Sequence, residues 1–330
     1  MVFDPRIPPH EACVLGYQLD RWAAEKPDDV AIIFHGGESW TWRETCDLTR
    51  RAAKGLQDLG VRKGDHVLSW QPNNREAVLT WFGLNYLGAV YVPMNTAYKG
   101  SLLEHIVRLS DATLAVCHAD LAPRLEDIDT GALTDVIVTN GSASLTRQTV
   151  HAVDALLPAD GLTAMPDVVE PWDCQYIIFT SGTTGPSKAV LSSYVQGYSM
   201  GPEAHDYLDA SERHLVNLPL FHVGGTIFVV MTLAVGASCY LDTHFQTDQF
   251  WQTVREHDIT ATCLLAAMIP FLLKLPPSDD ERDHTLRRAV CVPWNEDAMA
   301  VGRRFGIEMR TTFNMTEVSS PLVSEPFPPE

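Results

Sequence analysis

The sequence predicts an α/β protein built from two helix-covered, mostly parallel sheets. Apolar runs of strand length alternate with helical patterns along the 330-residue chain, and this alternation is typical of parallel or mixed sheets covered by helices. The interval 140–167 is polar and rich in turn residues, so it separates the two halves. We therefore expect a first α/β subdomain over residues 1–170 and a second over residues 171–330.

The elements of the first half repeat an order of helix, glycine stop and strand. Thr41–Glu44 opens a segment with apolar residues at helical spacing, and Gly60 ends it before the next strand. A second helix ends at Gly88 in the same way, and we interpret both as scaffold. The predicted strands are Val30–Phe34, His66–Trp70, Ala89–Val92, Thr113–Cys117, Val136–Val138, Tyr176–Phe179, Ser238–Leu241, Thr260–Leu265 and Ala289–Val292. The predicted helices cover residues 41–59, 73–87, 100–110, 192–206, 247–257 and 295–305.

One polar loop carries most of the functional information. Residues 180–188 read TSGTTGPSK and lie between the buried strand Tyr176–Phe179 and a second apolar run. Gly182 and Gly185 leave no side chain between the backbone and a bound group, and Lys188 adds a positive charge. The hydroxyl donors are Thr180, Ser181, Thr183, Thr184 and Ser187. Backbone N–H groups and hydroxyls converging in such a turn predict a polyphosphate site; the alternative is a surface loop of small polar residues.

This loop resembles the phosphate-loop signature of the adenylate-forming superfamily, which includes acyl-CoA synthetases and the adenylation domains of peptide synthetases. It is not the P-loop of nucleoside triphosphatases, whose glycine and lysine spacing differs. Two later segments match the family in order: residues 217–225 (NLPLFHVGG) resemble its PLFHxxG element, and residues 312–317 (TFNMTE) resemble its YGxTE element. Residues 60–67 and 88–95 resemble two of its early scaffold landmarks.

The resemblance implies a role for each residue of these segments. His222 would line the carboxylate pocket, whereas a histidine in isolation is more often a core or cap residue. Phe313 and Asn314 stand where the family has tyrosine and glycine against the adenine. Thr316 would contact the phosphate end of the nucleotide, and Glu317 would hold Mg²⁺, which prefers carboxylate, phosphate and water oxygens. A lone Thr-Glu pair would otherwise indicate a helix-start cap.

The chain also departs from the family pattern. It ends at Glu330, before the family's ribose-binding aspartate, its hinge and its small C-terminal domain with the catalytic lysine. We therefore expect that small domain to be absent, and the 330-residue chain alone to be inactive or weakly active. Residues Cys291–Asn295 replace a Gly-Gly-Ala-Pro-like turn, which predicts a bulkier pocket wall. A similar departure occurs in the carnitine and crotonobetaine CoA ligase branch, and it implies a small or polar acid.

Composition narrows the class of protein. The net charge of −18 argues against nucleic acid or an anionic membrane as a partner. The seven cysteines are scattered and odd in number, as expected for buried free thiols in a reducing compartment. The charged and proline-rich first residues predict no signal peptide, and no uncharged run approaches the length of a membrane span. We therefore expect a cytoplasmic protein.

Together these features predict the large N-terminal portion of an acyl-CoA synthetase-like enzyme. It would use ATP and Mg²⁺ to convert a small carboxylic acid to an acyl-adenylate and then transfer the acyl group to CoA. Lys188, His222, Thr316 and Glu317 are the predicted catalytic residues. Two alternatives stay open: a stand-alone adenylating enzyme that loads an acid onto a carrier protein, and a chain that binds nucleotide without turnover.

Overall fold

The computed structural model describes residue 4, residues 6–180 and residues 187–327. The strands of this part are β1 Val30–Phe34, β2 Ser39–Thr41, β3 His66–Trp70, β4 Val90–Pro93, β5 Leu114–His118, β6 Asp135–Thr139, β7 Thr149–Ala152, β8 Cys174–Thr180, β9 Lys188–Ser193, β10 Arg213–Val216, β11 Ser238–Leu241, β12 Ala261–Leu265, β13 Arg288–Val292, β14 Glu308–Arg310, β15 Thr312–Met315 and β16 Ser319–Val323. The α-helices are α1 His10–Cys13, α2 Leu15–Glu25, α3 Trp42–Asp58, α4 Arg75–Tyr86, α5 Gly100–Ser110, α6 Tyr194–Tyr198, α7 Val223–Val235, α8 Phe250–Glu256, α9 Ile269–Leu273 and α10 Glu296–Phe305. Short 3-10 helices cover Ala122–Asp127 and Val153–Ala155, and a π-helical turn covers Ser199–Glu203.

The chain divides into two compact units. Unit 1 contains the residues up to Asp29, Trp40–Gly197 and Leu220–Val223, and unit 2 contains Val30–Ser39, Tyr198–Pro219 and the residues from Gly224 onward. Each unit is built around a sheet, because strands distant in sequence pair within it. The two units therefore alternate along the chain.

The sheet of unit 1 has the strand order β7-β6-β5-β3-β4-β8-β9. Its pairs are parallel except for β9, which runs antiparallel to β8. The central strands are apolar on both faces, as expected where helices cover a parallel sheet. Helix α5 buries Leu103, Ile106 and Val107 in the same core as strand residues Leu68 and Val136.

Two N-caps define where helices of unit 1 begin. Thr41 and Glu44 form a capping box at the start of α3, with each side chain accepting a hydrogen bond from the other residue's backbone N–H. Asn74 accepts a hydrogen bond from the backbone N–H of Ala77 at 2.8 Å and so caps α4. Helix α4 therefore begins directly after the loop that leaves β3.

The main sheet of unit 2 has the order β14-β13-β12-β10-β11-β1, with the short β2 at its edge. The pairs from β14 to β1 are parallel. Its core combines strand residues such as Leu215 and Leu264 with Val301 of α10. Asn295 caps the start of α10, and Gly306 ends that helix in a left-handed conformation with φ +75°. A separate antiparallel pair, β15–β16, follows β14.

The fold confirms the predicted α/β class of two helix-covered, mostly parallel sheets, and the predicted strands agree with the observed ones to within two residues at each end. The helix predicted over residues 192–206 was wrong in part: β9 extends to Ser193, and a π-helical turn containing Pro202 follows the short α6. All seven cysteines are free, and all but the half-buried Cys174 are buried. Within the described ranges, no helix has both the length and the apolar character needed to cross a membrane.

The observed units differ from the predicted division at residue 170. Strand β8 pairs in parallel with β4 through Tyr91 and Tyr176, so it belongs to unit 1 together with β9. Strand β1 pairs with β11 and belongs to unit 2. The turn-rich interval before residue 170 is therefore a connection within unit 1 rather than a boundary between the units.

Candidate active site

Strands β8 and β9 bring the two ends of the predicted phosphate loop together. β8 is an almost fully buried run, and β9 returns antiparallel to it with Thr180 opposite Lys188. Thr180 is half-buried, whereas the Lys188 side chain is exposed. The predicted phosphate-binding residues Ser181, Gly182, Thr183, Thr184 and Gly185 lie outside the described residues. The hairpin thus places one hydroxyl and one cationic side chain at the two ends of the loop.

The end of this loop is held by residues that sequence reasoning missed. His105 on α5 donates from Nε2 to the backbone carbonyl of Ser187 at 3.0 Å. The side chain of Tyr98 hydrogen-bonds to that of Ser187; burial raises the pKa of Tyr98, and this bond opposes the rise. Tyr98 and His105 are more than 80 residues from Ser187 in sequence, as the separation of 82 for His105 illustrates. No local pattern could therefore have indicated these contacts.

His222 lies in the segment Leu220–Val223, directly before the first residue of α7. The residue is exposed to solvent, but nearby protein atoms partly desolvate the imidazole and lower the pKa of His222. At neutral pH the ring is therefore uncharged, and it can donate or accept a hydrogen bond. The backbone of the segment is anchored at Leu220, whose N–H donates to Asn73 Oδ1 at 2.9 Å.

The hairpin β15–β16 of unit 2 carries the remaining predicted residues. Phe313 pairs with Leu322 across the hairpin, and its side chain is 58% exposed. Asn314 is half-buried, Thr316 is buried and Glu317 is exposed in the turn between the strands. The hairpin thus presents an aromatic face and a carboxylate within five residues, and the alternative of a helix-start cap at Thr316 does not apply.

The single carboxylate of Glu317 fits one mode of Mg²⁺ binding. Within the part of the chain that the structure describes, no three histidine, cysteine, aspartate or glutamate side chains cluster as a metal cage. Mg²⁺ commonly binds through one or two carboxylates together with substrate phosphates and waters. An exposed single carboxylate such as Glu317 is compatible with that substrate-assisted mode.

Residues Cys291–Asn295, which were predicted to replace a glycine-rich turn, include the bulky side chain of Trp294. The Trp294 ring stacks on Phe327 at a centroid distance of 4.4 Å. Asn295 accepts from the backbone N–H of Ala298 at 3.0 Å and begins α10. At the other end of the segment, the Cys291 carbonyl accepts a hydrogen bond from Thr311 Oγ1 at 2.8 Å. This bond holds the end of β13 beside the start of β15. This wall of unit 2 is therefore aromatic, and hydrogen bonds tie it to the start of α10 and to Thr311.

The predicted residues thus fall into two groups, one in each unit. Unit 1 holds the loop ends and His222, and unit 2 holds the hairpin with Phe313, Thr316 and Glu317. The groups lie at or just beyond the carboxyl ends of β8, β10 and β14. Loops at the carboxyl ends of strands are where α/β sheets commonly bind ligands.

Comparison with known proteins identifies the family. The profile of the family described as AMP-binding enzyme matches residues 19–330. Long-chain fatty acid transport protein 6 of Homo sapiens is 28% identical over 280 residues, which cover 81% of this chain and 44% of that protein. The crotonobetaine/carnitine–CoA ligase of Salmonella arizonae is 29% identical over 317 residues, which cover 90% of this chain and 60% of that protein. The chain thus spans about half the length of these curated relatives.

Solved structures share the fold. The N-terminal domain of FACL13 from Mycobacterium tuberculosis matches with a TM-score of 0.80 and 23% identity, over 92% of this chain and 76% of that one. The anthranilate CoA ligase AuaEII, in complex with anthranoyl-AMP, matches with a TM-score of 0.83 and 20% identity, over 95% of this chain and 62% of that one. With the profile match over nearly its whole length, the chain belongs to the AMP-binding enzyme family.

Proposed function

We propose that this chain carries the nucleotide-activating part of an acid–thiol ligase. The carboxylate of a substrate acid would attack the α-phosphorus of ATP, forming an acyl-adenylate and releasing pyrophosphate. The thiol of CoA would then attack the acyl carbon, forming the thioester and releasing AMP. Family membership supports this reaction class, and the names of the relatives include CoA ligases. The observation that carries the proposal is the β8–β9 hairpin, which closes the phosphate-loop sequence between Thr180 and Lys188.

The loop residues would bind the β- and γ-phosphates. Lys188 is exposed at the loop's end, where its side chain can reach a bound anion. The hydroxyl of Thr180 lies opposite it in the hairpin register and adds a neutral donor. The proposed phosphate ligands are Thr180, Ser181, Gly182, Thr183, Thr184, Gly185, Ser187 and Lys188. Positive potential confined to this loop would let a chain of net charge −18 bind a polyanion.

The β15–β16 hairpin would bind the rest of the nucleotide. The exposed ring of Phe313 offers a stacking face for adenine, with Asn314 beside it and Thr316 toward the α-phosphate. When bound, Mg²⁺ would neutralise negative charge on the ATP phosphates next to the α-phosphorus that the acid attacks. Glu317 would hold that ion through its carboxylate, together with substrate oxygens and water.

His222 would orient the reacting carboxylate. Because desolvation lowers its pKa, the ring is neutral at physiological pH and does not pair ionically with the acid. A neutral N–H can hydrogen-bond one carboxylate oxygen while the other remains free to attack phosphorus. The stacked Trp294 and the carnitine-type relatives support a small or polar acid as the substrate. We further propose a cytoplasmic location.

The direct test is nucleotide binding followed by pyrophosphate exchange. MgATP is titrated calorimetrically into the chain, and acid-dependent ATP–pyrophosphate exchange is measured with carnitine and with short- and long-chain fatty acids. Lys188→Ala should weaken MgATP binding by about 10- to 100-fold, because a hydrogen bond to a charged group contributes about 1.5–3 kcal/mol. Lys274→Ala, which removes the same charge from an exposed position after α9, is the control. Absence of MgATP binding by the unaltered chain, or equal affinity in both variants, would contradict the assignment.

A further inference from the structure

The loop between β3 and α4 is fixed by amide side chains. Gln71 is buried, and its Nε2 donates to Thr139 Oγ1 at 2.8 Å. Asn74 donates from Nδ2 to Gln71 Oε1 at 3.3 Å and to Asn140 Oδ1 at 3.2 Å. The same Asn74 uses its Oδ1 to cap α4. Residues on both sides of Asn73 are therefore tied to the sheet and to the helix, so the backbone of Asn73 has little freedom to move.

Asn73 uses this fixed position to hold a distant backbone group. Its side chain is 7% exposed, and its Oδ1 accepts the hydrogen bond from Leu220 N–H at 2.9 Å across 147 residues of sequence. Leu220 is itself 2% exposed, so its N–H has little access to water. A buried backbone N–H left without a hydrogen-bond partner lowers the stability of the folded protein. The Asn73 acceptor therefore stabilises the path that the backbone takes at Leu220.

We propose that Asn73 is the positioning residue for His222. It fixes the backbone at Leu220, two residues before His222, and the helix α7 fixes it from Val223 onward. The imidazole is carried by a segment that is held at both ends, and removing the Asn73 acceptor releases one of them. The importance of this placement for carboxylate activation rests on the function proposed above, but the placement itself does not.

A role in positioning differs measurably from a role in stability. Loss of any buried contact lowers the free energy of unfolding, whereas only loss of positioning changes the surroundings of His222 in the folded protein. Thr41→Ala is a matched control, because it removes the N-cap of α3 in the same unit and so lowers stability without touching the β3–α4 loop. Asn73→Leu removes the acceptor at similar volume, and Asn73→Asp keeps an acceptor at the same reach.

The experiment uses the 330-residue chain without ligands. Amide hydrogen exchange reports on Leu220, and NMR titration of the imidazole, assigned by loss of its signal in His222→Gln, reports on His222. We expect Asn73→Leu to lower the protection of the Leu220 amide on the order of tenfold and to move the pKa of His222 back toward its ordinary value. Asn73→Asp should retain the Leu220 protection, and Thr41→Ala should change neither signal. If Asn73→Leu does not fold, Asn73→Ser, whose hydroxyl reaches less far, takes its place.

Two results would overturn the proposal. One is a folded Asn73→Leu or Asn73→Ser variant in which the His222 titration matches that of the unaltered chain, whatever happens at Leu220. The other is a change of equal size in Thr41→Ala, which would indicate a general loosening. MgATP binding by the unaltered chain separates the two proposals. If that chain binds MgATP and shows acid-dependent pyrophosphate exchange, Asn73→Leu should raise the KM for the acid and leave the KM for ATP unchanged. If it binds no MgATP, the proposed function fails while the two NMR readouts still decide the role of Asn73.

Discussion

The substitution Gly225→Ala tests how the segment that carries His222 is held, because the atoms nearest to Gly225 belong to the backbone. It lies in the first turn of α7, and a Cβ added there would stand 2.3 Å from the Pro219 carbonyl oxygen and 2.6 Å from that of Leu218. Real Cβ contacts are essentially never under 3.0 Å, and a carbonyl cannot rotate away as a side chain can. Gly225→Ala must therefore displace the backbone that leads directly into Leu220–Val223.

The expected effect on stability is modest and the effect on function is large. Overpacking costs about 1–3 kcal/mol, and the better helix propensity of alanine returns about 1 kcal/mol, so the free energy of unfolding should fall by about 1 kcal/mol. A displacement approaching 1 Å beside reacting groups can cost roughly 100-fold in rate. We therefore expect acid-dependent pyrophosphate exchange to fall by about 10- to 100-fold, with MgATP affinity unchanged.

Gly201→Ala is the matched control in the same unit. A Cβ at Gly201 meets side-chain atoms of Ile227 and Met231 at 2.9 Å, and these flexible side chains can shift without moving the backbone. The assays are urea unfolding, pyrophosphate exchange and the NMR signal of the His222 imidazole. The reasoning would be refuted if Gly225→Ala left both the exchange rate and the His222 signal as they are in the unaltered chain.

Two further predictions concern the metal and the pH dependence of stability. Glu317→Gln keeps shape but loses charge, so pyrophosphate exchange should drop at ordinary Mg²⁺ and recover in part at high Mg²⁺; an unchanged Mg²⁺ dependence, with Glu296→Gln as the control, would argue against the role. Burial lowers the pKa of His214 from 6.5 to about 4. Between these two pH values the unfolded chain binds a proton at this histidine and the folded protein does not, so the free energy of unfolding falls as the pH falls toward 4. Between pH 7 and pH 5 this group should cost about 2 kcal/mol, which His214→Asn should remove; an equal pH dependence of urea unfolding in both proteins would contradict it.

The elements that the sequence predicted best have a clear local pattern. Helix α5 begins and ends at the predicted residues, because its apolar positions recur on one face and Asp111 ends it in a left-handed conformation. Helix α7 was not predicted as a helix, because it is apolar on all sides and shows no helical period. The helix predicted through Pro202 was wrong in part, because a proline inside a helix interrupts its hydrogen bonds.

The residues of the candidate site also divide into those that a local sequence pattern indicated and those that it did not. The phosphate-loop string, the histidine before α7 and the Phe313–Glu317 segment were recognisable because their residues are neighbours in sequence, and their roles remain proposals. Asn73, Tyr98 and His105 carried no such signal, because each acts on a backbone or hydroxyl group far along the chain. An asparagine before a helix is locally indistinguishable from a cap, and Asn74 is the cap here.

The sequence by itself determined the α/β class, most of the strands and the family, because these depend on apolar periodicity and on short contiguous motifs. Only the tertiary structure decided which strands share a sheet: β8 and β9 joined the first unit, and β1 joined the second. It also decided that Leu220 is anchored by Asn73. Pairing between distant strands and burial of distant polar groups depend on the packing of the whole chain, so no local pattern encodes them.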